Sequence, residues 1–107
     1  MSLIIANAFS LQMLTLETEQ TVKVRPVTVE YVKNDCTHGW VWAIGHADTS
    51  TVVAKILGIK DEGPKRVNVA LKQGDKLIVA QVVGGRLPEG ATQLPEGVSM
   101  KFVEVTI

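Results

Sequence analysis

His46, Arg66, Arg86, Glu89, Asn7 and Ser10 are the side chains whose types and settings could do chemistry in this chain. They offer an imidazole, two guanidiniums, a carboxylate, an amide and a hydroxyl. That inventory suits binding and cutting a phosphodiester without a metal. His46 follows Ile44-Gly45 and stands two residues before the expected start of a helix. Free N–H groups and the macrodipole make a helix start attractive to anions. An imidazole there can donate to a phosphate oxygen or protonate a leaving oxygen. Arginine suits two-pronged phosphate contact, and Gly84-Gly85 before Arg86 let the backbone approach a ligand closely. Asn7 and Ser10 follow the first apolar run, and in α/β sheets ligands collect beyond the carboxyl ends of strands. Glu89 can orient a ribose hydroxyl or hold an arginine. The Gly-x-x-x-x-Gly-Lys-Ser/Thr pattern of a phosphate-binding loop is absent from the sequence.

Each of these residues also has an ordinary structural role. His46 alone reads as a surface or capping histidine, and Arg66 alone as a solvated charge. Asn7 and Ser10 supply turn and N-cap chemistry by type. Thr49 and Ser50 face the same choice, and Glu89 is a loop carboxylate. His38, beside Gly39, reads as structural or solvated. Taken singly, the signals are weak.

The elements that must position them follow from patterning. Leu3–Ala6 reads as a short buried strand, and Ser10 caps a short helix through Leu11-Gln12-Met13-Leu14. The β-branched stretch Thr21–Val32 reads as two strand pieces, or an edge strand around a bend at Pro26. Asp35–Ile44 fits either period, and a short helix is favoured. Asp48-Thr49-Ser50 caps a helix carrying Val52, Val53, Ile56 and Leu57, with Gly58 as its stop. Arg66–Leu71 and Lys76–Val83 read as a β-hairpin around Gly74-Asp75. Gly84–Gly97 holds four of the nine glycines and two of the four prolines, and a loop of that length is functional or mobile. Val98–Ile107 reads as the last strand. The expectation is one α/β (α+β) domain over residues 1–107, a small mixed sheet with about three short helices.

Composition bounds the function. A chain of 107 residues buries roughly 60–65% of its unfolded surface and needs no staple. With 11 Lys+Arg against 11 Asp+Glu the formal net charge is zero. That argues against a polybasic nucleic-acid binder, whose affinity comes from phosphate neutralisation, and no duplex DNA partner is expected. The single Cys36 rules out an intramolecular disulfide and a cysteine zinc cluster. A reducing compartment is the simplest reading. Met1-Ser2-Leu3-Ile4-Ile5 has no basic flank and too short an apolar run for a signal peptide or a membrane span. The expected location is therefore the cytoplasm.

Ala6-Asn7-Ala8-Phe9-Ser10 with Met13-Leu14, Ile44-Gly45-His46 with Thr49, Arg66-Val67, Asp75-Lys76-Leu77 with Gln81, and Arg86-Leu87-Pro88-Glu89-Gly90 recur in order at near-constant spacing. Over nearly the whole chain this ordered set resembles the viral type III anti-CRISPR ring nucleases and their cellular relatives. That family degrades cyclic tetra-adenylate, the second messenger that switches on CRISPR-associated effector nucleases. The resemblance implies a small homodimer that binds one cyclic ligand across its two-fold axis under a closing loop. It implies no metal and no cofactor. His46 would be the general acid, with Arg86 and Glu89 beside the reacting phosphodiester. Asn7, Ser10, Thr49, Arg66 and Gln81 would line the pocket. The Trp40-Val41-Trp42 segment departs from the pattern and reads as a dimer contact or an adenine platform. Two other classes stand beside this one: a non-catalytic module that sequesters a cyclic nucleotide, and a small viral DNA-binding regulator.

Overall fold

The computed structural model describes residues 2–107. Its centre is β1 (Leu3–Ala6), which pairs in parallel with β3 (Val41–Ala43) on one side and β4 (Lys76–Val83) on the other. β5 (Ser99–Thr106) runs antiparallel to β4, and β2 (Lys23–Val27) antiparallel to β5. The mixed sheet therefore has the order β2-β5-β4-β1-β3. Two α-helices, α1 (Val29–Asp35) and α2 (Ala47–Leu57), join two short 3-10 turns at Leu11–Met13 and Cys36–His38. This is the expected α+β class.

Period-two alternation divides the sheet into two faces. Ile5, Trp42, Ile78, Ala80 and Phe102 point one way, and bury against Val32 of α1 and Val53, Ala54 and Leu57 of α2. Ile4, Ala6, Leu77, Val79 and Val105 point the other way, under Leu14 and Leu71. At roughly 1.5–3 kcal/mol for each fully buried Val, Leu or Ile, these two clusters are the main favourable term of the fold.

A polar clamp sets the register of the central pair. Gly74 turns at φ +96°. Asp75 then accepts from the Lys72 and Ser2 amides, both at 3.0 Å. The Lys76 amide donates to the Ser2 carbonyl at 2.8 Å, so β1 and β4 start in step.

Three expectations change. Thr21–Val32 is strand only to Val27, because the Thr28 hydroxyl accepts from the Tyr31 amide at 3.1 Å and caps α1. Pro26 does sit on an edge strand. The favoured helix over Asp35–Ile44 is instead a 3-10 turn followed by β3. Trp42 and Ile44 are both buried at a spacing of two, which a strand beside β1 satisfies and a helix does not. The hairpin of Arg66–Leu71 with Lys76–Val83 is absent, since both edges of β4 are taken by β1 and β5. The alternation of Val69 and Leu71 is real. It presses both side chains onto the second face of the sheet without a ladder, and the Leu71 amide donates to Met13 at 2.8 Å.

One charged cluster crosses the helical face. Tyr31 Oη donates to Glu104 at 2.6 Å and accepts from Arg25 and Lys76 at 2.9 and 3.0 Å. Arg25 Nε meets the other Glu104 oxygen at 2.7 Å. Burial pushes the Glu104 carboxyl up. Hydrogen bonds from Arg25 and Tyr31, with the charges of Arg25 and Lys76, outweigh it and hold the group below the usual carboxylate range. A carboxylate depressed in the folded state gives stability above its unfolded pKa and loses it as pH falls through the folded one. Glu104→Ala should therefore cost about 2 kcal/mol in denaturant unfolding at pH 7. The difference from the parent protein should shrink as pH is lowered below about 4; a pH-independent difference would contradict this account.

Candidate functional site

Parallel pairing brings the carboxyl ends of β1, β3 and β4 to one edge of the sheet. Asn7 leaves β1, Ile44-Gly45-His46 leaves β3, and Gly84-Gly85-Arg86 leaves β4. Asn7 Oδ1 accepts from the Gly45 amide at 3.2 Å, which ties the first exit to the second. His46 is the N-cap of α2 with no side-chain cap bond, and its imidazole is exposed. Gly45, just before it, lets a neighbour approach closely. A Cβ on Gly45 would lie 3.1 Å from Cγ of Arg66, so the arginine stem lies directly against the Gly45 backbone. The Lys65 amide, donating to the Ile44 carbonyl at 2.7 Å, holds that approach.

The Gly84–Gly97 loop closes the other side. Gly84 has φ +92°, and a Cβ there would run into the Gly97 carbonyl oxygen, so the neck of the loop requires glycine. Its tip is a turn in which the Ala91 amide donates to Pro88 at 3.0 Å. At that tip the Gly90 amide donates to Asp48 Oδ1 at 3.1 Å. Glu89, next to Gly90 in the chain, is thereby carried toward the first turn of α2, which His46 caps.

Asn7, His46, Arg66, Glu89 and the loop that bears Arg86 thus gather at one edge. Neither the Arg66 nor the Arg86 guanidinium forms an ion pair among the described residues, and both are exposed. The other expected residues stand differently. Ser10 spends its hydroxyl on the Gln12 amide, at 3.2 Å, as an N-cap. Thr49 is only 9% exposed, in the first turn of α2. Gln81 lies on the second face of the sheet, where it lines a shallow groove of about 380 Å³ with Asn7, Phe9, Val24, Val79 and Val103. Among the described residues no group of three His, Cys, Asp or Glu side chains is placed to hold a metal ion. None of the helices there is long and apolar enough to cross a membrane.

Sequence reasoning missed Asp48 as a loop tether, having assigned it to helix capping. Only the fold brings it to its partner Gly90, 42 residues away along the chain. The tryptophans also resolve. Trp42 is 2% exposed, so it is no adenine platform, and its indole donates to Ser50 at 3.0 Å. Trp40 is half-buried against the helical core and donates to Glu62 at 3.1 Å.

A family model of STIV B116-like proteins matches residues 3–101. The chain belongs to the STIV B116-like family. Its fold is similar to that of B116 of Sulfolobus turreted icosahedral virus, with a TM-score of 0.77 at 24% identity over 99% of each chain. No curated protein matches it. The family match spans all the segments that meet at the site, from Asn7 to the Gly84–Gly97 loop.

The tether makes loop closure testable. Asp48→Ala removes a hydrogen bond worth about 1 kcal/mol, so tryptic cleavage after Arg86 should accelerate about fivefold with global stability nearly unchanged. Gly84→Ala should instead cost about 1–3 kcal/mol through strain at positive φ. Equal cleavage rates in Asp48→Ala and the parent chain would show that the contact does not hold the loop.

Proposed function

We propose that this protein is a metal-independent ring nuclease that binds cyclic tetra-adenylate and cleaves it to linear di-adenylate, switching off type III CRISPR signalling inside the cell. The observation that carries the proposal is the meeting of Asn7, Gly45-His46, Arg66 and the Glu89-Gly90 loop tip at the start of α2. It supplies what strand scission of RNA requires. The ribose 2′-hydroxyl attacks the adjacent phosphorus, its proton passing to solvent. The bond from phosphorus to the 5′-oxygen breaks, and protonated His46 gives that oxygen its proton. The product strand ends in a 2′,3′-cyclic phosphate. Arg86 and Arg66 neutralise charge on the phosphorane, and Glu89 orients a ribose hydroxyl or an arginine. Alignment replaces a dedicated base.

The working unit is a homodimer. A groove of about 380 Å³ is at the low end for one drug-sized ligand and too small for a four-nucleotide ring. Its apolar wall of Phe9, Val24, Val79 and Val103 suits a second copy. Asn7 belongs both to this wall and to the His46 edge, so a two-fold partner on it would draw two equivalent centres toward one symmetric ligand. Ser10 and Gln81 are the outer lining in this reading, Thr49 contributes from within the first turn of α2, and the Gly84–Gly97 loop is the lid.

His46→Ala should slow single-turnover cleavage about 10²–10⁴-fold while binding largely survives; a near-normal rate would remove His46 from the acid role. Light scattering should return a dimer, with one ring bound per dimer. Arg86→Ala should weaken binding as well as cleavage, because its guanidinium would meet phosphate in ground and transition states alike. A monomer that binds one ring tightly, or an Arg86→Ala variant unchanged in both respects, would refute the lid.

A further inference from the structure

Residues 59–66 carry Arg66 to the site, yet no residue of this strap is in a helix or strand. Its place is set by side chains. Ser50 of α2 is fully buried, so its hydroxyl must satisfy both of its hydrogen-bonding functions inside the protein. It accepts from the Trp42 indole at 3.0 Å and donates to Asp61 Oδ1 at 2.7 Å. The same Asp61 oxygen accepts from the Gly63 amide at 2.9 Å. Asp61 Oδ2 accepts from the Thr51 hydroxyl at 3.0 Å. One carboxylate thus joins two adjacent residues of α2, the strap's own turn and, through Ser50, the core tryptophan of β3. Hydrogen bonds from Ser50 first, then from Gly63 and Thr51, keep the Asp61 carboxyl below its ordinary range. A second, weaker anchor runs from Trp40 to Glu62 and on to Lys65 at 2.9 Å. Beyond these anchors the Lys65 amide reaches Ile44, and Arg66 lies against Gly45.

We propose that Asp61 is a positioning residue: by fixing the 59–66 strap on Ser50, Thr51 and its own Gly63 turn, it sets Arg66 beside Gly45-His46. Its bearing on a ligand rests on the reading of Arg66 as a phosphate contact. Asp61 touches no ligand itself; it acts through Arg66, as an outer support orients the groups that do the binding.

The test has two arms on the full chain. In the first, without ligand, the Lys65 amide is followed by hydrogen exchange. Asp61→Ala should speed its exchange at least about tenfold, the effect of losing roughly one net hydrogen bond or more, while Val53 and Ala54 within α2 stay slow. Asp61→Asn keeps an oxygen for Ser50 and Gly63 and should restore slow exchange. Should Asp61→Ala fail to fold, Thr51→Val removes one of the bonds at nearly constant volume and should speed Lys65 severalfold. In the second arm, cyclic tetra-adenylate is titrated. Arg66→Ala and Asp61→Ala should each weaken binding about tenfold, and the double variant should be no weaker than Arg66→Ala alone, because the two act in series. Unchanged Lys65 exchange in the Asp61 variant overturns the proposal, as does a double variant whose losses multiply. Lys65 exchange that responds to Asp61 in a protein that binds no ring would strike the ligand and support the anchor.

Discussion

The parallel pairing of β1 with both β3 and β4 is the constraint on which the rest depends. Four residues make the strand, and each of the last three is buried. Pairing in parallel on both sides forces three chain exits to one edge, and residues from three distant parts of the sequence meet there. A slip of one residue would turn Ile5 out of the helical core and Ile4 into it. The Asp75 clamp on Ser2 and Lys72 guards against that slip at the opposite edge, so a turn far from the site fixes the site's geometry.

What positions the candidate site beyond this frame is a set of single polar tethers. Asn7 holds Gly45, Asp48 holds the loop tip at Gly90, and Asp61 holds the strap. Each joins an irregular segment to a regular element. Backbone ladders would make these segments rigid. One hydrogen bond at Asn7 and at Asp48 and three at Asp61, each worth about 1 kcal/mol, hold these segments more loosely than a ladder would and leave the loop tip able to open at low cost. The proposed function, in which a bulky polyanion enters and is then surrounded, would use this division between a stiff frame and tethered covers.

Much of this was legible in the sequence where one physical cause acted alone. The apolar run of β1, the Ser10 cap, the body of α2 ending at Gly58 and the glycine-rich loop sit where expected, whereas α2 starts earlier than read: His46 is its N-cap, and Asp48-Thr49-Ser50, expected to cap it, lie inside the helix. Gly58 adopts the left-handed conformation, and the Ile59 amide reaches back to Ala54 at 3.0 Å, as a glycine stop requires. Reading failed where two causes competed. Val27-Thr28-Val29 is β-branched, yet the Thr28 cap and the burial of Val32 make it a helix start. Trp40–Ile44 fits two periods until β1 is beside it. Val69 and Leu71 alternate truly while Val67 stays exposed, but a strand needs a free edge, and β4 had none to give. At the site, His46, Arg66, Asn7 and Glu89 were found by type. Asp48 and Asp61 were not, because a tether is defined by its partner, and Gly90 lies 42 residues from Asp48 along the chain.

In the proposed function these tethered segments form a phosphodiester-cleaving site that works by alignment, arginine and imidazole. The most direct measurement incubates the purified protein with cyclic tetra-adenylate in excess chelator and resolves the products. Conversion to linear di-adenylate ending in a 2′,3′-cyclic phosphate is the expected result. A ring that stays intact, or one cut only after Mg²⁺ or Mn²⁺ is restored, would contradict it.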